Sequence, residues 1–126
     1  DRRQRQMCIR DRIMNGHISV QYTETFENSL NDSIDYLSQW DEIHRVVEGV
    51  ESLLNAFEEN VTQNPLMYSR CPELVSLGVA NIREYKKSGF RLLYEVTDNN
   101  TVYGLILLRQ RQDISMALTD YCIIYK

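Results

Sequence analysis

The side chains best able to do chemistry are cations carried by three consecutive strand-like segments near the C-terminus. They are Arg83, Lys86, Lys87, Arg91, Arg109 and Arg111, with Asp113 two residues after the last of them. Guanidinium groups bind phosphates and carboxylates through charge-assisted hydrogen bonds, and several on one sheet face make a site. The alternative is a solvated strand face that carries Lys and Arg for solubility alone.

Few residues suit proton transfer or metal binding. His17 and His44 lie outside these segments, and histidines in such positions are more often surface residues than catalysts. The cysteines are Cys8, Cys71 and Cys122, an odd number without a C-x-x-C pair. That pattern argues against a zinc site or a disulfide framework and fits a reducing cytoplasm. We therefore predict no metal and no cofactor.

Two amphipathic helices precede the cationic segments. Over roughly Glu24 to Gln39, apolar residues recur at steps of three and four: Phe26, Leu30, Ile34, Leu37 and Trp40. A second helix begins after the capping-box spacing of "SQWD" and ends before Pro65. Its apolar stripe is Ile43, Val46, Val47, Val50, Leu53, Leu54, Phe57 and Val61. Both stripes predict the core of a helical hairpin.

The remaining elements are short strands and one helix. "HISVQYT" is a strand candidate before the helices, and residues 63–80 form an irregular connector. Three strands then follow closely, over Asn81–Lys87, Phe90–Thr97 and Thr101–Arg109, and their short turns imply antiparallel neighbours. A helix over Ile114–Tyr121 ends the order β-α-α-β-β-β-α. This predicts an α+β fold with the helical hairpin packed on a small antiparallel sheet.

Strand periodicity predicts which side chains share a face. Phe90, Leu92, Tyr94 and Val96 alternate with Arg91 on the middle strand. On the last strand Val102, Gly104, Ile106 and Leu108 share a face, which leaves Arg109 opposite. If the helices cover the apolar face, Arg91, Arg109 and Arg111 project from an uncovered face, and Arg83 and Lys87 share that parity.

The length and charge of the chain indicate how many domains it has and where the folded domain begins. A chain of 126 residues is one domain by size, and its formal net charge is −4. Residues 1–12 contain five arginines and two aspartates, so the rest of the chain carries a charge of −7. We assign residues 1–13 to a disordered or non-native tail and 14–126 to the folded domain. The basic N-terminus lacks the apolar segment of a secretory signal, and no apolar run is long enough to span a membrane.

The segment "IREYKKSGFRLLYEVTDNNTVYGLILLRQRQD" resembles the C-terminal sheet of the RelE/ParE superfamily, the toxins of bacterial type II toxin–antitoxin modules. The matching motifs are Arg83-Glu84-Tyr85, then Gly89-Phe90-Arg91-Leu92-Leu93-Tyr94, then Arg109 to Asp113. "LRQRQDISMALTDYCII" is further similar to the plasmid-stabilisation branch. The resemblance implies a cytoplasmic toxin that a cognate antitoxin keeps silent, without contact with a membrane.

The resemblance leaves the target open. ParE-type members bind DNA gyrase, whereas RelE-type members cut mRNA on the ribosome. Arg91 and Arg111 align with the catalytic-site arginines of the family, and Glu73 lies where some ribosome-dependent relatives place a general base. Arg109 stands where many members have a histidine, and an arginine cannot shuttle a proton near neutral pH.

Three hypotheses follow. The first is a toxin that binds gyrase through the six cations and Asp113. The second is a ribosome-dependent mRNA endonuclease with Arg91, Arg111 and Glu73 as catalytic residues. The third is a non-toxic member that acts only as a binding partner. Under the first two, Arg91→Ala and Arg111→Ala are expected to abolish growth inhibition and leave the fold intact.

Overall fold

The computed structural model describes residues 13–14, 18–97, 100–110 and 112. In chain order its helices and strands are β1 (Ile13–Met14), β2 (Ile18–Tyr22), α1 (Glu24–Leu37), α2 (Ile43–Gln63), α3 (Pro72–Ser76), β3 (Ile82–Lys87), β4 (Phe90–Val96) and β5 (Thr101–Arg109). The predicted helix over Ile114–Tyr121 lies outside the described residues, as do Arg111 and Asp113. None of the described helices is long and apolar enough to cross a membrane.

The strands form one sheet in the order β1-β2-β5-β4-β3. β3, β4 and β5 are antiparallel neighbours, as their short turns predict. β2 lies parallel to β5, so the sheet is mixed rather than wholly antiparallel. In β1, Ile13 is the last residue of the predicted tail, and it pairs with Ser19. The predicted fold class, a helical hairpin on a small sheet, is confirmed.

The turn between β3 and β4 sets which residues of β3 face the helices. Ser88 and Gly89 both have positive φ, 55° and 84°, as a two-residue type I′ hairpin turn requires. Lys87 therefore pairs with Phe90, and Arg83 pairs with Tyr94. Cross-strand partners share a face, so Arg83 and Lys87 lie on the apolar side of β4. The prediction that they share the face of Arg91 is wrong.

A β-bulge in β5 reverses the alternation of its side chains. Leu93 pairs with Ile106 but Tyr94 pairs with Gly104, which leaves Leu105 as the extra residue. Val102 and Gly104 consequently face the helices, whereas Ile106 and Leu108 face the opposite side. The prediction that these four residues share one face is wrong, and Arg109, paired with Phe90, lies on the helix side.

The helical hairpin covers one face of the sheet. α1 begins after Thr23, whose hydroxyl accepts a hydrogen bond from the Phe26 amide at 3.1 Å. Gly104 allows close packing here, because a Cβ at that position would lie 2.6 Å from Tyr22 Cδ1. The principal core joins both helices to the sheet through Phe26, Leu30, Leu53, Phe57, Val61, Leu92, Tyr94 and Leu107.

The other face of the sheet is covered as well. Residues 69–71 extend the sheet at β3: the Cys71 amide donates to the Ile82 carbonyl at 2.9 Å, and the Glu84 amide donates to the Ser69 carbonyl at 3.0 Å. The short helix α3 follows and buries Leu74 completely. This second core consists of Cys71, Leu74, Ile82, Leu93, Ile106 and Leu108. The prediction that this face of the sheet is uncovered is therefore wrong, because the connector folds back onto it.

Candidate functional site

Arg91, the central residue of the predicted site, is buried beneath α3. Only 7% of the residue is exposed. Its guanidinium forms a bidentate ion pair with Glu73, with Nη1–Oε2 at 3.0 Å and Nη2–Oε1 at 2.8 Å. Glu73 lies in the first turn of α3, so the short helix places this carboxylate over β4. The structure thus brings the two predicted residues together, but their charged groups bind each other.

A second carboxylate completes the arginine's surroundings. Glu84 on β3 is 6% exposed, and its Oε1 accepts from Arg91 Nε at 3.0 Å and from Nη2 at 2.5 Å. Its other oxygen lies 3.7 Å from Nζ of Lys86, whose side chain is half exposed. The Cys71 thiol approaches Arg91 Nη2 at 3.6 Å. We call Arg91, Glu73, Glu84 and Cys71 the buried arginine cluster.

Hydrogen bonds and burial shift the pKa values of three members of the buried arginine cluster, Glu73, Arg91 and Cys71. Hydrogen bonds from Arg91 lower the pKa of Glu73 to about 2, against the opposing effect of burial. The hydrogen bonds to Glu73 raise the pKa of Arg91, with Glu84 adding to this and burial acting against it. Burial raises the pKa of the Cys71 thiol. The cluster is therefore an arginine held between two carboxylates and a neutral thiol.

This arrangement is poorly suited to catalysis. A general base must reach the proton it removes and have a pKa near the working pH, yet both Glu73 oxygens are bound and its pKa is about 2. Ligand atoms of Cys71, Glu73 and Glu84 lie within 4.8 Å of one another, the spacing of a cation site. The Arg91 guanidinium already contacts all three residues, so it takes the place of a cation there.

Of the cations of β3, Lys86 reaches the edge of the buried arginine cluster at Glu84, whereas Arg83 and Lys87 lie on the other face of the sheet. Arg83 faces the other side of the sheet, and its Nη1 donates to the Tyr68 carbonyl at 2.6 Å. Lys86 pairs with Arg91 across the strands and shares its face, but its side chain extends into solvent. Lys87 is exposed on the helix side. The three predicted cations of β3 therefore do not share one face.

Arg109 occupies a third environment, beside the C-terminal end of α1. Its Cζ lies 3.8 Å from the centroid of the Tyr36 ring, a cation–π contact. Tyr36 in turn contacts Trp40, with ring centroids 4.8 Å apart. Trp40 is 68% exposed and Ile43 is 52% exposed. Their assignment to the core stripes is wrong, because α1 ends at Leu37 and the chain then turns away from the sheet.

The comparisons with known proteins now decide the family. A sequence model described as "ParE toxin of type II toxin-antitoxin system, parDE" matches residues 20–114. This range covers three quarters of the chain and contains every predicted site residue. The chain belongs to the ParE toxin family. The proposed resemblance to the RelE/ParE superfamily is therefore confirmed.

Two solved structures are similar to this ParE-family chain, and the first of them supports its fold. A chromosomal ParDE toxin–antitoxin system from P. aeruginosa matches with a TM-score of 0.58 at 14% identity, covering 73% of this chain and 95% of that one. The RelBE2 toxin–antitoxin complex from Mycobacterium tuberculosis matches with a TM-score of 0.47 at 19% identity, over 74% of this chain and 98% of that one. No curated protein sequence matches the chain significantly.

Glu84 and Tyr36 of this ParE-family chain were not among the predicted site residues. Glu84 belongs to the quoted R-E-Y segment, and its alternation with Tyr85 places it on the Arg91 face once the hairpin register is known. Tyr36 falls outside the apolar stripe of α1 and is 42% exposed. A large aromatic residue on the polar face of a helix is the signal that could have identified it, because aromatic residues are enriched at interfaces.

Proposed function

We propose that this ParE-family chain is a growth-inhibiting toxin that acts by binding an essential bacterial protein rather than by catalysis. DNA gyrase is the proposed target, as for ParE-type toxins, and the toxin acts in the cytoplasm, where gyrase works. A cognate antitoxin neutralises it. The matched structure from P. aeruginosa is that of a toxin–antitoxin system, which supports an antitoxin as the partner.

The buried arginine cluster is the observation that carries this proposal. A ribosome-dependent nuclease needs cations that reach the scissile phosphate and a base that reaches the 2′-OH. Arg91 and Glu73, the two candidates within the described residues, instead neutralise each other, and Arg91 is nearly inaccessible. Binding a protein target requires no proton transfer, so this pairing is compatible with it. We therefore assign both residues to the stability of the fold.

The overall charge supports a protein target as well. The net charge is −4, and an acidic chain is repelled by the dense phosphates of ribosomal RNA. Arg83, Lys86 and Lys87 remain our proposed target contacts on β3. Arg111 and Asp113 belong to the same proposal, although they lie outside the described residues.

Induced expression of the full chain in bacteria tests the proposal. Growth, bulk translation and the DNA-damage response are followed together after induction. We expect arrest with filamentation and DNA-damage signalling while translation continues. An immediate fall in translation, with mRNA cut within codons and no DNA damage, would instead establish the nuclease. Normal growth with folded protein present would favour the non-toxic alternative.

Matched charge variants show which surface binds the target. Lys86→Gln combined with Lys87→Gln removes two exposed charges from β3, and we expect it to weaken the arrest. Arg45→Gln is the control, because Arg45 is 72% exposed on α2 and makes only a 3.7 Å ion pair with Asp41. Equal toxicity of all three proteins would remove β3 from the proposed interface.

A further inference from the structure

An open groove lies between the end of α1 and the β3–β4 turn. Its volume is about 490 Å³. We call it the Arg109 groove and define it by Tyr36, Leu37, Gly89, Phe90, Arg109 and Gln110. It is separate from the buried arginine cluster, because Arg109 and Phe90 pair on the helix side of the sheet whereas Arg91 lies beneath α3. The bulge at Leu105 is what brings Arg109 to this side.

The lining of the groove combines an apolar wall with one cation, Arg109; Lys87, the cross-strand partner of Phe90, is exposed on the same side of the sheet but does not line the groove. Leu37 and Phe90 supply the apolar wall. Within the described part of the chain, the Arg109 guanidinium contacts the Tyr36 ring and no carboxylate. A guanidinium stacked on an aromatic ring keeps its in-plane N–H donors free for a carboxylate. The groove therefore suits a ligand with an apolar group and a negative charge close together.

Exposed aromatic side chains extend the groove along the end of α1. Tyr36 lines it and is 42% exposed, and Trp40 beside it is 68% exposed. Tryptophan, tyrosine and arginine are the residue types enriched among the contacts that dominate protein–protein binding. A tryptophan this exposed next to a half-exposed tyrosine and an arginine indicates a protein-binding surface.

The charges near the groove favour a peptide over a nucleic acid. Asp35 precedes Tyr36, and Asp41 and Glu42 follow Trp40, all three of them exposed. A nucleic-acid strand brings a phosphate with every nucleotide, so its charges would meet these carboxylates. A single carboxylate beside an apolar side chain needs only Arg109 and the apolar wall.

We propose that the Arg109 groove binds a segment of the neutralising partner protein in which an aspartate or glutamate adjoins a large apolar side chain. The carboxylate accepts hydrogen bonds from the Arg109 guanidinium, and the apolar side chain packs on Leu37 and Phe90. The existence of this partner rests on the proposed function, whereas the preference of the groove does not depend on which target the toxin inhibits.

Peptide selection on the full chain tests the proposal. Random peptides displayed on phage are selected against the wild-type protein, Arg109→Gln and Arg70→Gln. Arg70 is the matched control because it is exposed and lies away from the groove. We expect peptides with Asp or Glu next to Leu, Ile, Phe or Trp to be enriched on wild type and Arg70→Gln and lost on Arg109→Gln. Enrichment without acidic residues, or equal enrichment on Arg109→Gln, would overturn the proposal.

A second measurement uses the wild-type chain alone and so does not depend on how the variant folds. The selected peptide and its Asp→Asn or Glu→Gln counterpart are titrated while the fluorescence of Trp40 is followed; Trp40 is the single tryptophan of the chain. We expect a blue shift as Trp40 is covered, and about tenfold or greater weakening for the neutral peptide, because it loses a charge-assisted hydrogen bond to Arg109. Equal affinities, or tighter binding of a short oligothymidine, would refute the proposed occupant.

The outcome is distinguishable from that of the growth experiment. If the chain arrests growth but the Arg109 groove shows no acidic–apolar preference, the inference fails and the proposed function stands. If the groove binds such peptides but induction has no effect on growth, the binding site stands and the toxin proposal fails.

Discussion

At the residue scale, the role of each arginine depends on what its guanidinium contacts. Arg91 is buried between Glu73 and Glu84, whereas Arg109 lies on the Tyr36 ring at the edge of an open groove. The nuclease hypothesis grouped Arg91 with Glu73 as catalytic residues, whereas the structure pairs the two with each other in an ion pair. Alternation along a strand identifies the face of a side chain, but it cannot show that a connector without strong periodicity covers that face.

Replacing Arg91 is predicted to destabilise the protein rather than only its activity. Arg91→Ala leaves the Glu84 carboxylate buried without its guanidinium partner, and breaking a buried ion pair in this way costs about 3–5 kcal/mol. That is a large part of the stability of a typical domain. Urea denaturation measures the loss, and Arg70→Ala, at an exposed position, should change stability by less than about 0.5 kcal/mol.

This expectation replaces the one drawn from the sequence, that Arg91→Ala would leave the fold intact. An Arg91→Ala protein with wild-type stability and no toxicity would contradict the structural role and return Arg91 to the functional surface. A protein that is both unstable and inactive would agree with the buried arginine cluster as described.

The lowered pKa of Glu73 predicts that the protein loses stability in acid. Its pKa is lowered from 4.5 to about 2 in the folded protein, so the unfolded chain binds a proton more readily than the native one. The stabilisation is fully present above the unfolded pKa and is lost as the pH falls from about 4.5 to about 2. Urea unfolding across this range should therefore show a smaller decline for Glu73→Gln than for wild type.

The control for this pH series is Ser76→Ala, a substitution on the same short helix that removes no ionisable group. The free energy of unfolding of Ser76→Ala should decline with falling pH in parallel with that of wild type. If Glu73→Gln and wild type lose stability equally between these pH values, the ion pair with Arg91 does not persist in solution.

At the scale of elements, periodicity located the helices and strands but not the irregularities that orient them. Thr101–Arg109 was predicted with the observed bounds, yet the bulge at Leu105 moved Arg109 to the other face. Gly104 could have indicated this bulge from the sequence, since a glycine within a strand often marks a bulge or a close approach of another chain segment. The register of the β3–β4 hairpin similarly follows from a short local feature, the two-residue turn at Ser88 and Gly89.

Two glycine substitutions are predicted to have opposite effects. Gly104→Ala would place a Cβ 2.6 Å from Tyr22 Cδ1, and overpacking of this kind costs about 1–3 kcal/mol. Gly49 lies in the middle of α2 with no atom near its would-be Cβ, so Gly49→Ala should stabilise by about 0.5–1 kcal/mol. Thermal unfolding of both variants tests the two predictions: the Tm should fall for Gly104→Ala and rise for Gly49→Ala. A neutral Gly104→Ala would show that Tyr22 can move away.

At the scale of the whole molecule, the sheet is covered on both faces by unequal layers. The helical hairpin forms the larger core, and the connector with α3 forms the smaller one. The order of β2, the two long helices and the three strands β3 to β5 was predictable, as was the packing of the hairpin on the sheet, because long amphipathic stripes and short turns are local signals. The second layer was not, since α3 has only five residues and its contacts are made far along the chain.

This two-layer covering explains why the predicted cationic face is not a single surface. Arg91 is enclosed by the smaller layer, Lys86 and Lys87 lie at the β3 end, and Arg109 borders the helical hairpin. An acidic ParE-family chain organised in this way presents separate small contact regions, which suits binding to proteins more than enclosing a strand of RNA.

The proposed target of the toxin is identified with the purified full chain in two parallel reactions. One contains DNA gyrase with supercoiled plasmid, and the other contains translating ribosomes with a defined mRNA mapped by primer extension. We predict accumulation of gyrase-cleaved plasmid and intact mRNA, because the buried arginine cluster leaves neither Arg91 nor Glu73 free for catalysis. Cleavage of the mRNA within ribosome-bound codons, with gyrase unaffected, would contradict the account.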